Sequence, residues 1–198
     1  MKLNKLKVKE NVKKALEEDG YKSDLSLNSS KINKKHVAKA KLVTRQNGIL
    51  SGSFWFEQAF KIIDKNAEFS WKVLEGRNFK KNTEIVEIKA SIQAILSGER
   101  TALNFLQMMS GISSIAKAYS DYLKDTKIEL LDTRKTLPNL RYEQKYSTYI
   151  GGVKNHRFGL FDAIMLKDNH IKAFGGIKKI KNFKFLDKGD FLEIEIEK

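Results

Sequence analysis

The 198-residue chain carries 38 Lys and Arg residues against 24 Asp and Glu residues, which gives a formal net charge of +14. Its 41% hydrophobic content excludes wholesale disorder, and the absence of cysteine excludes disulfides, cysteine zinc sites and thiol catalysis. No apolar run approaches the ~20 residues that span a bilayer, and residues 1–10 lack the apolar core of a signal peptide. We therefore expect a soluble, cytoplasmic protein.

The basic charge by itself invites a nucleic-acid interpretation. The lysines are spread along the chain, however, and the aromatic residues do not interleave with them as stacking platforms would. This pattern favours a solvated basic surface. Attraction of anionic small molecules and binding of nucleic acid stay open as alternatives.

The first predicted elements are a helix, a strand and a turn. Helical spacing of Val8, Val12 and Ala15 predicts a helix over residues 7–19. Alternating Ala and Lys residues over 36–42 predict a half-buried strand. The dipeptide Asn47-Gly48 then predicts a hairpin turn that leads into a returning strand at residues 49–50.

Further patterns complete an α+β region over residues 1–90. A helix is predicted over residues 54–64. Alternating apolar residues predict strands around residues 69–73 and 86–88. Because antiparallel strands follow one another through short turns, we expect an antiparallel sheet here.

After residue 90 the pattern changes to alternating strands and helices. Residues 91–124 are predicted to be helical in two pieces, interrupted at Gly98 and Gly111. Five elements then follow: a strand at 128–131, a helix at 140–149, a strand at 163–166, a helix at 171–182 and a strand at 192–197. This order predicts a parallel sheet or barrel. A barrel with three strands cannot close, so the sequence suggests a chain that is cut short.

Cationic residues follow the predicted parallel strands. Arg134 and Lys135 come directly after the strand at 128–131, His156 and Arg157 lie in a glycine-rich loop, and Lys167 ends the strand at 163–166. Each one alone is most simply a solvated surface residue. Together at one rim of a sheet they predict a ligand that carries at least two carboxylates or phosphates.

The last predicted strand has the opposite charge. Glu193, Glu195 and Glu197 share one face of it. Carboxylates that face a barrel interior are costly unless they meet cations, a metal or a ligand. A solvated edge is the alternative, just as an ordinary surface ion pair is the alternative for Glu99 and Arg100.

Three segments together resemble a known family. They are residues 99–112 (ERTALNFLQMMSGI), residues 131–141 (LDTRKTLPNLR) and residues 155–171 (NHRFGLFDAIMLKDNHI). With the Glu-Ile-Glu strand they resemble nicotinate-nucleotide pyrophosphorylase, also called quinolinate phosphoribosyltransferase. Their order and spacing match throughout, and the resemblance covers essentially the whole chain.

This resemblance implies a fold and a reaction. The fold is an α+β sandwich N-terminal domain, here residues 1–100, followed by an open α/β barrel of the TIM type, here incomplete over residues 101–198. The reaction joins quinolinate to phosphoribosyl pyrophosphate with Mg²⁺, and it yields nicotinate mononucleotide, pyrophosphate and CO₂ in NAD biosynthesis.

The resemblance also implies site residues. The quinolinate pocket would be lined by Arg134, His156, Arg157 and Lys167. Lys135 would contact the phosphoribosyl substrate, and Glu195 would face its ribose. Arg100 would reach into the neighbouring subunit's site, which makes a homodimer the catalytic unit. No metal ligands can be assigned.

One departure matters. In the family, the chain continues with a strand that ends in an aspartate and with glycine- and serine-rich loops that bind a phosphate. Neither feature is found in this sequence up to Lys198. We therefore expect a fragment that is inactive alone. Two alternatives stay open: the molybdenum-operon homologue of the same fold, and a non-catalytic basic remnant that binds anions or nucleic acid.

Overall fold

The computed structural model describes residues 1–182 and 192–195. The chain divides into two compact units. The larger unit comprises Met1–Asp132 and Thr136–Lys154, and the smaller unit comprises Thr133–Lys135 and Asn155–Lys198. Glu197 lies outside the described residues.

A three-stranded antiparallel sheet organises the larger unit, as the sequence predicted. Strand β1 (Val37–Val43) pairs with β5 (Glu84–Ser91), and β5 pairs with β3 (Glu68–Trp71). Ile85, Val86, Ile88 and Ala90 of β5 are buried. The central strand therefore carries the apolar residues that cover the core.

The predicted hairpin at Asn47-Gly48 is wrong. Strand β2 (Gly48–Ile49) pairs instead with β4 (Asn78–Phe79). The Asn47 side chain accepts a hydrogen bond from the Lys81 N–H at 2.8 Å, and the Ile49 N–H donates to Ser114 Oγ at 2.8 Å. Partners that are distant in sequence thus satisfy the Asn47 side chain and the Ile49 N–H.

Helices α1 (Lys5–Glu18) and α3 (Ser53–Lys61) confirm the first two predicted helices. A short helix, α2 (Leu25–Asn28), lies between α1 and β1. The Glu75 carboxylate accepts hydrogen bonds from the Gly52 and Ser53 N–H groups at 2.7 and 2.9 Å, which stabilises the beginning of α3. Three aromatic rings of α3 are buried in the core of the larger unit: Trp55, Phe56 and Phe60.

Helix α4 runs without a break from Ile92 to Leu123, so the prediction of two pieces is wrong. A Cβ at Gly98 would lie 3.2 Å from the Ala59 carbonyl oxygen, so this glycine permits close packing of α4 on α3. Packing of the buried α4 face outweighs the cost of a glycine within the helix. The predicted domain boundary at residue 100 falls inside α4.

The remaining elements alternate between helix and strand. They are α5 (Arg141–Ile150), β6 (Ile164–Leu166), α6 (Asp168–Ala173), a 3₁₀ helix (Ile177–Asn182) and β7 (Leu192–Ile194). The helix predicted over 171–182 is therefore two shorter helices. The strand predicted at 128–131 is only a single parallel bridge between Leu131 and Lys154.

Strands β6 and β7 pair in parallel, which confirms the predicted orientation of these two strands. The mixed α/β class is also confirmed, whereas the open barrel stays a prediction. Within the described ranges, no helix has both the length and the apolar character that a bilayer crossing requires.

Candidate functional site

The smaller unit contains nearly all of the predicted site. Six of the seven predicted residues belong to it: Arg134, Lys135, His156, Arg157, Lys167 and Glu195. They come from three separate stretches of sequence. They share a unit, while their convergence on one ligand at the rim of a sheet stays a prediction.

Parallel pairing sets the positions of Glu193 and Glu195. Glu193 lies opposite Met165 in the β6–β7 register. The Glu195 N–H then donates to the Leu166 carbonyl at 2.9 Å, which continues the ladder by one step. Because side chains alternate along a strand, Glu193 and Glu195 project from the same face.

Each of these carboxylates contacts a basic side chain of the predicted set. His156 Nε2 lies 2.7 Å from Glu193 Oε2, and the Lys167 ammonium donates to Glu195 Oε2 at 2.5 Å. The His156 side chain is 14% exposed, whereas the Lys167 and Glu195 side chains are 41% and 54% exposed. The Lys167–Glu195 pair is thus accessible to a ligand, and the His156–Glu193 pair is more enclosed.

Hydrogen bonds connect the glycine-rich loop that carries Arg157 to the residues directly before β6. The Arg157 guanidinium Nη1 donates to the Ala163 carbonyl at 3.2 Å. The Asp162 carboxylate accepts hydrogen bonds from the Phe158 and Gly159 N–H groups at 2.6 and 3.1 Å. These contacts close a turn immediately before β6, so the position of Arg157 depends on the beginning of that strand.

Arg134 and Lys135 differ in exposure. Arg134 is half-buried and Lys135 is exposed. The Lys135 N–H donates to Thr133 Oγ1 at 3.1 Å, which forms a local turn. Two adjacent cations in these different environments can serve two different anionic groups, as the sequence suggested.

Arg100 belongs to the larger unit. It is exposed on α4 and lines a groove of about 880 Å³ together with Glu99, Leu103 and Arg45. The structure therefore does not group Arg100 with the strand-end cations of the smaller unit. Its predicted role in a neighbouring subunit stays a prediction.

Two contacts of the site were not predicted from the sequence. The first is the pairing of His156 with Glu193. The second is a hydrogen bond from the Lys167 N–H to His170 Nδ1 at 3.0 Å, at the beginning of α6. His170 lies three residues after Lys167, which ends the predicted strand. A side-chain acceptor at this spacing is typical of the beginning of a helix, and this pattern could have identified His170 from the sequence.

The described part of the smaller unit does not form a metal centre. Among residues 1–182 and 192–195, no group of three or more His, Asp or Glu side chains could hold a metal ion. Glu193 and Glu195 instead lie against His156 and Lys167.

Both halves of the chain match domains of one known protein family. Residues 24–110 match the quinolinate phosphoribosyl transferase N-terminal domain, and residues 112–198 match the C-terminal domain of the same family. A probable carboxylating nicotinate-nucleotide pyrophosphorylase of Bacillus subtilis is 35% identical over 195 residues, which are 98% of this chain and 67% of that protein. This chain belongs to the quinolinate phosphoribosyltransferase family.

Other members of the family give similar results. The decarboxylating quinolinate phosphoribosyltransferase 1 of Nicotiana glauca is 39% identical over 145 residues, which are 73% of this chain and 41% of that protein. Among the curated relatives, the chain thus spans between about two fifths and two thirds of the length.

Solved structures agree with this family assignment. NadC from Streptococcus pyogenes superposes with a TM-score of 0.90 at 38% identity, over 99% of this chain and 71% of that one. The nicotinate-nucleotide pyrophosphorylase from Francisella tularensis gives a TM-score of 0.90 at 35% identity, over 100% of this chain and 70% of that one. The α/β architecture described above is therefore the architecture of this family.

Proposed function

We propose that this protein is a decarboxylating quinolinate phosphoribosyltransferase of NAD biosynthesis. It would join quinolinate to phosphoribosyl pyrophosphate and release nicotinate mononucleotide, pyrophosphate and CO₂. The family assignment supports the reaction class. The observation that carries the proposal is the arrangement of His156 against Glu193 of β7 and of Lys167 against Glu195, the residue that follows β7.

The cationic set suits a substrate with two carboxylates. Arg134, Arg157 and Lys167 are cations, and His156 adds a ring whose N–H can donate a hydrogen bond. The Lys167 ammonium has three donor hydrogens, so its contact with Glu195 leaves capacity for an anionic ligand. Glu193 and Glu195 limit the mutual repulsion of the cations in the ligand-free protein. A dicarboxylate would then compete with these glutamates for the same donors.

The first chemical step would be transfer of the phosphoribosyl group. The ring nitrogen of quinolinate attacks the anomeric carbon, the bond from that carbon to the pyrophosphate oxygen breaks, and the electron pair leaves with pyrophosphate. Positive charge develops on the ribosyl ring, as in glycosyl transfer. Glu195 would stabilise this charge or bind the ribose hydroxyls. Lys135 would neutralise charge on the leaving group.

Decarboxylation would follow on the nucleotide. The carbon–carbon bond to one carboxylate breaks, CO₂ leaves, and the electron pair that stays on the ring carbon takes up a proton. The cationic nitrogen formed in the first step accepts electron density, which favours this bond cleavage. The remaining carboxylate would keep its contacts with the cationic set.

We propose that Mg²⁺ enters with phosphoribosyl pyrophosphate. The described residues offer no cluster of acidic ligands for a resident ion. Magnesium usually binds through substrate phosphates with few protein carboxylates, and it would supply charge neutralisation at the pyrophosphate.

The working assembly is proposed to be a cytoplasmic homodimer or higher homo-oligomer with shared active sites. Arg100 supports this, because it is exposed at a groove of the larger unit, where a second subunit could reach it. In the dimer, Arg100 of one subunit would contact the quinolinate bound by the other. Neither nucleic acid nor a membrane has a role in this proposal.

The test is a product assay with the full-length protein. Purified enzyme is incubated with phosphoribosyl pyrophosphate, Mg²⁺ and either quinolinate or nicotinate, and nicotinate mononucleotide is measured by chromatography. We expect turnover of quinolinate with release of equimolar CO₂. Turnover of nicotinate alone would overturn the substrate assignment, since nicotinate has one carboxylate. Absence of product from both would overturn the reaction class.

A further inference from the structure

One face of α5 contacts the chain on both sides of the segment that carries Arg134 and Lys135. Four residues form this face, and we call them the α5 clamp: Arg141, Gln144, Lys145 and Thr148. Their spacing of three, one and three residues places them on one side of a helix. All four belong to the larger unit, as do the chain positions that they contact.

The upstream contact is a buried ion pair. Lys145 and Asp132 form a salt bridge, and their side chains are only 1% and 5% exposed. Thr148 Oγ1 lies 3.1 Å from the second carboxylate oxygen of Asp132. The Asp132 N–H also donates to the Lys154 carbonyl at 3.0 Å. Main chain and side chain of Asp132 are therefore both held.

The downstream contacts begin four residues later. The Arg141 guanidinium Nε donates to Thr136 Oγ1 at 3.1 Å. The Gln144 side-chain oxygen accepts a hydrogen bond from the Leu137 N–H at 3.0 Å. The clamp thus holds Asp132 before the cationic segment and residues 136–137 after it.

Fixing Asp132 and residues 136–137 restricts the conformations of the segment between them. Arg134 is two residues from Asp132 and two from Thr136, so the intervening chain has few conformations that join the two fixed points. A binding side chain that is already ordered loses less entropy when the ligand arrives. The clamp therefore lowers the cost of ordering the segment.

Stability alone does not account for a buried ion pair here. Well-packed apolar side chains of similar volume stabilise a fold as well as a buried salt bridge does, because both ions must be removed from water. An ion pair with fixed geometry instead holds one chain position with directional contacts. The Asp132 position lies directly before Thr133, where the chain enters the smaller unit.

We propose that the α5 clamp is a positioning element that holds Arg134 and Lys135 in the conformation that binds substrate. The proposal rests on the proposed function, in which Arg134 contacts quinolinate and Lys135 contacts the phosphoribosyl substrate. The clamp residues themselves do not contact the reacting atoms in this proposal. They act through the main chain on either side of the segment.

The test uses two mild substitutions, one for each side of the segment. Thr148→Val removes the hydroxyl near Asp132, and Gln144→Met removes the acceptor of the Leu137 N–H, while both keep the side-chain volume. We expect each variant to raise the calorimetric Kd for quinolinate about 3- to 10-fold and the double variant about 10- to 100-fold, with melting temperatures little changed. The control is Gln58→Met on α3, which makes the same chemical change on a different helix.

A second measurement separates this proposal from the proposed function. The amide resonances of Arg134 and Lys135 are recorded by NMR in the ligand-free full-length protein. Shifts in Thr148→Val and Gln144→Met but not in Gln58→Met support the clamp, even if the wild-type protein does not bind quinolinate. Unchanged resonances together with a Kd within twofold of wild type would overturn it, because the α5 face would then only dock the helix.

Discussion

The Lys167 ammonium lies 2.5 Å from Glu195 Oε2, although the two residues are 28 positions apart in sequence. They meet because β6 and β7 are parallel neighbours, and because the Glu195 N–H donates to the carbonyl of Leu166, the residue before Lys167. A proposed carboxylate-binding residue and a proposed ribose-binding residue are thus adjacent at the end of one strand pair.

The first prediction concerns the charge of Glu195. In the full-length enzyme, Glu195→Gln should lower kcat about 10- to 100-fold, because a neutral amide cannot stabilise the positive charge that develops on the ribosyl ring. Steady-state kinetics with quinolinate varied at saturating phosphoribosyl pyrophosphate measure the effect. The matched control is Glu129→Gln, which removes the carboxylate of another exposed Lys–Glu pair, the one with Lys154. If both variants keep the wild-type kcat, the proposed role of Glu195 is wrong.

The second prediction concerns Arg100 and the dimer. Arg100→Ala and Lys135→Ala should each be inactive as homodimers. If Arg100 serves the partner's site, a mixed dimer has one site with both substitutions and one site with neither. Random exchange makes half of the dimers mixed, so about a quarter of wild-type activity should return.

Native mass spectrometry checks that the subunits of the two variants have exchanged. If mixed dimers form and activity does not return, Arg100 acts within its own subunit, because each site of a mixed dimer then contains one substitution. If Arg100→Ala is active by itself, Arg100 has no role in the reaction.

The third prediction concerns acid stability. The Asp64 carboxylate accepts hydrogen bonds from the Ser91 N–H at 2.8 Å and the Asn66 N–H at 3.0 Å. The Ser91 contact above all holds the pKa of Asp64 below its ordinary value of 3.8, against an opposing effect of burial. Because the folded pKa is the lower one, this stabilisation is present above pH 3.8 and is lost as the pH falls through the folded pKa.

Asp64→Asn should therefore lower the free energy of unfolding at pH 7 by about 1 kcal/mol, and the difference from wild type should shrink as the pH falls below 3.8 and through the folded pKa. Urea denaturation at pH 7 and at pH 2.5 measures the free energy of unfolding of each protein. Asp125→Asn, at an exposed position, serves as the control. A difference that stays constant from pH 7 to pH 2.5 would show that the charge of Asp64 is not responsible.

The fourth prediction compares two glycines. A Cβ at Gly151 would lie 2.5 Å from both Ala116 Cβ and the Ser113 carbonyl oxygen, where α5 ends against α4. Gly151→Ala should therefore destabilise the protein by ~1–3 kcal/mol through overpacking. A Cβ at Gly111, within α4, would meet no atom within 4 Å, so Gly111→Ala should instead stabilise the helix by ~0.5–1 kcal/mol. Thermal melts of the two variants should shift in opposite directions, and a shift of the same sign would contradict this comparison.

Local patterns predicted the elements better than their pairing. The helix predicted over 7–19 is α1, and the strand predicted over 36–42 is β1 within one residue. The pairing of β2 with β4 was not predictable from Asn47-Gly48. That dipeptide marks a turn, but the hydrogen bonds of the turn are made to Lys81 and to Ser114 on α4.

The sequence by itself determined the periodicity of the helices and strands and the chemical types at the strand ends. It thereby identified the cations of the smaller unit and the shared face of Glu193 and Glu195, because residue order and alternation are local properties. Only the tertiary structure decided that Glu193 contacts His156, that α4 is continuous, and that Lys145 is buried against Asp132. Each of these depends on packing between distant segments, whose free energy outweighs local preference, and local preference is all that a single sequence displays.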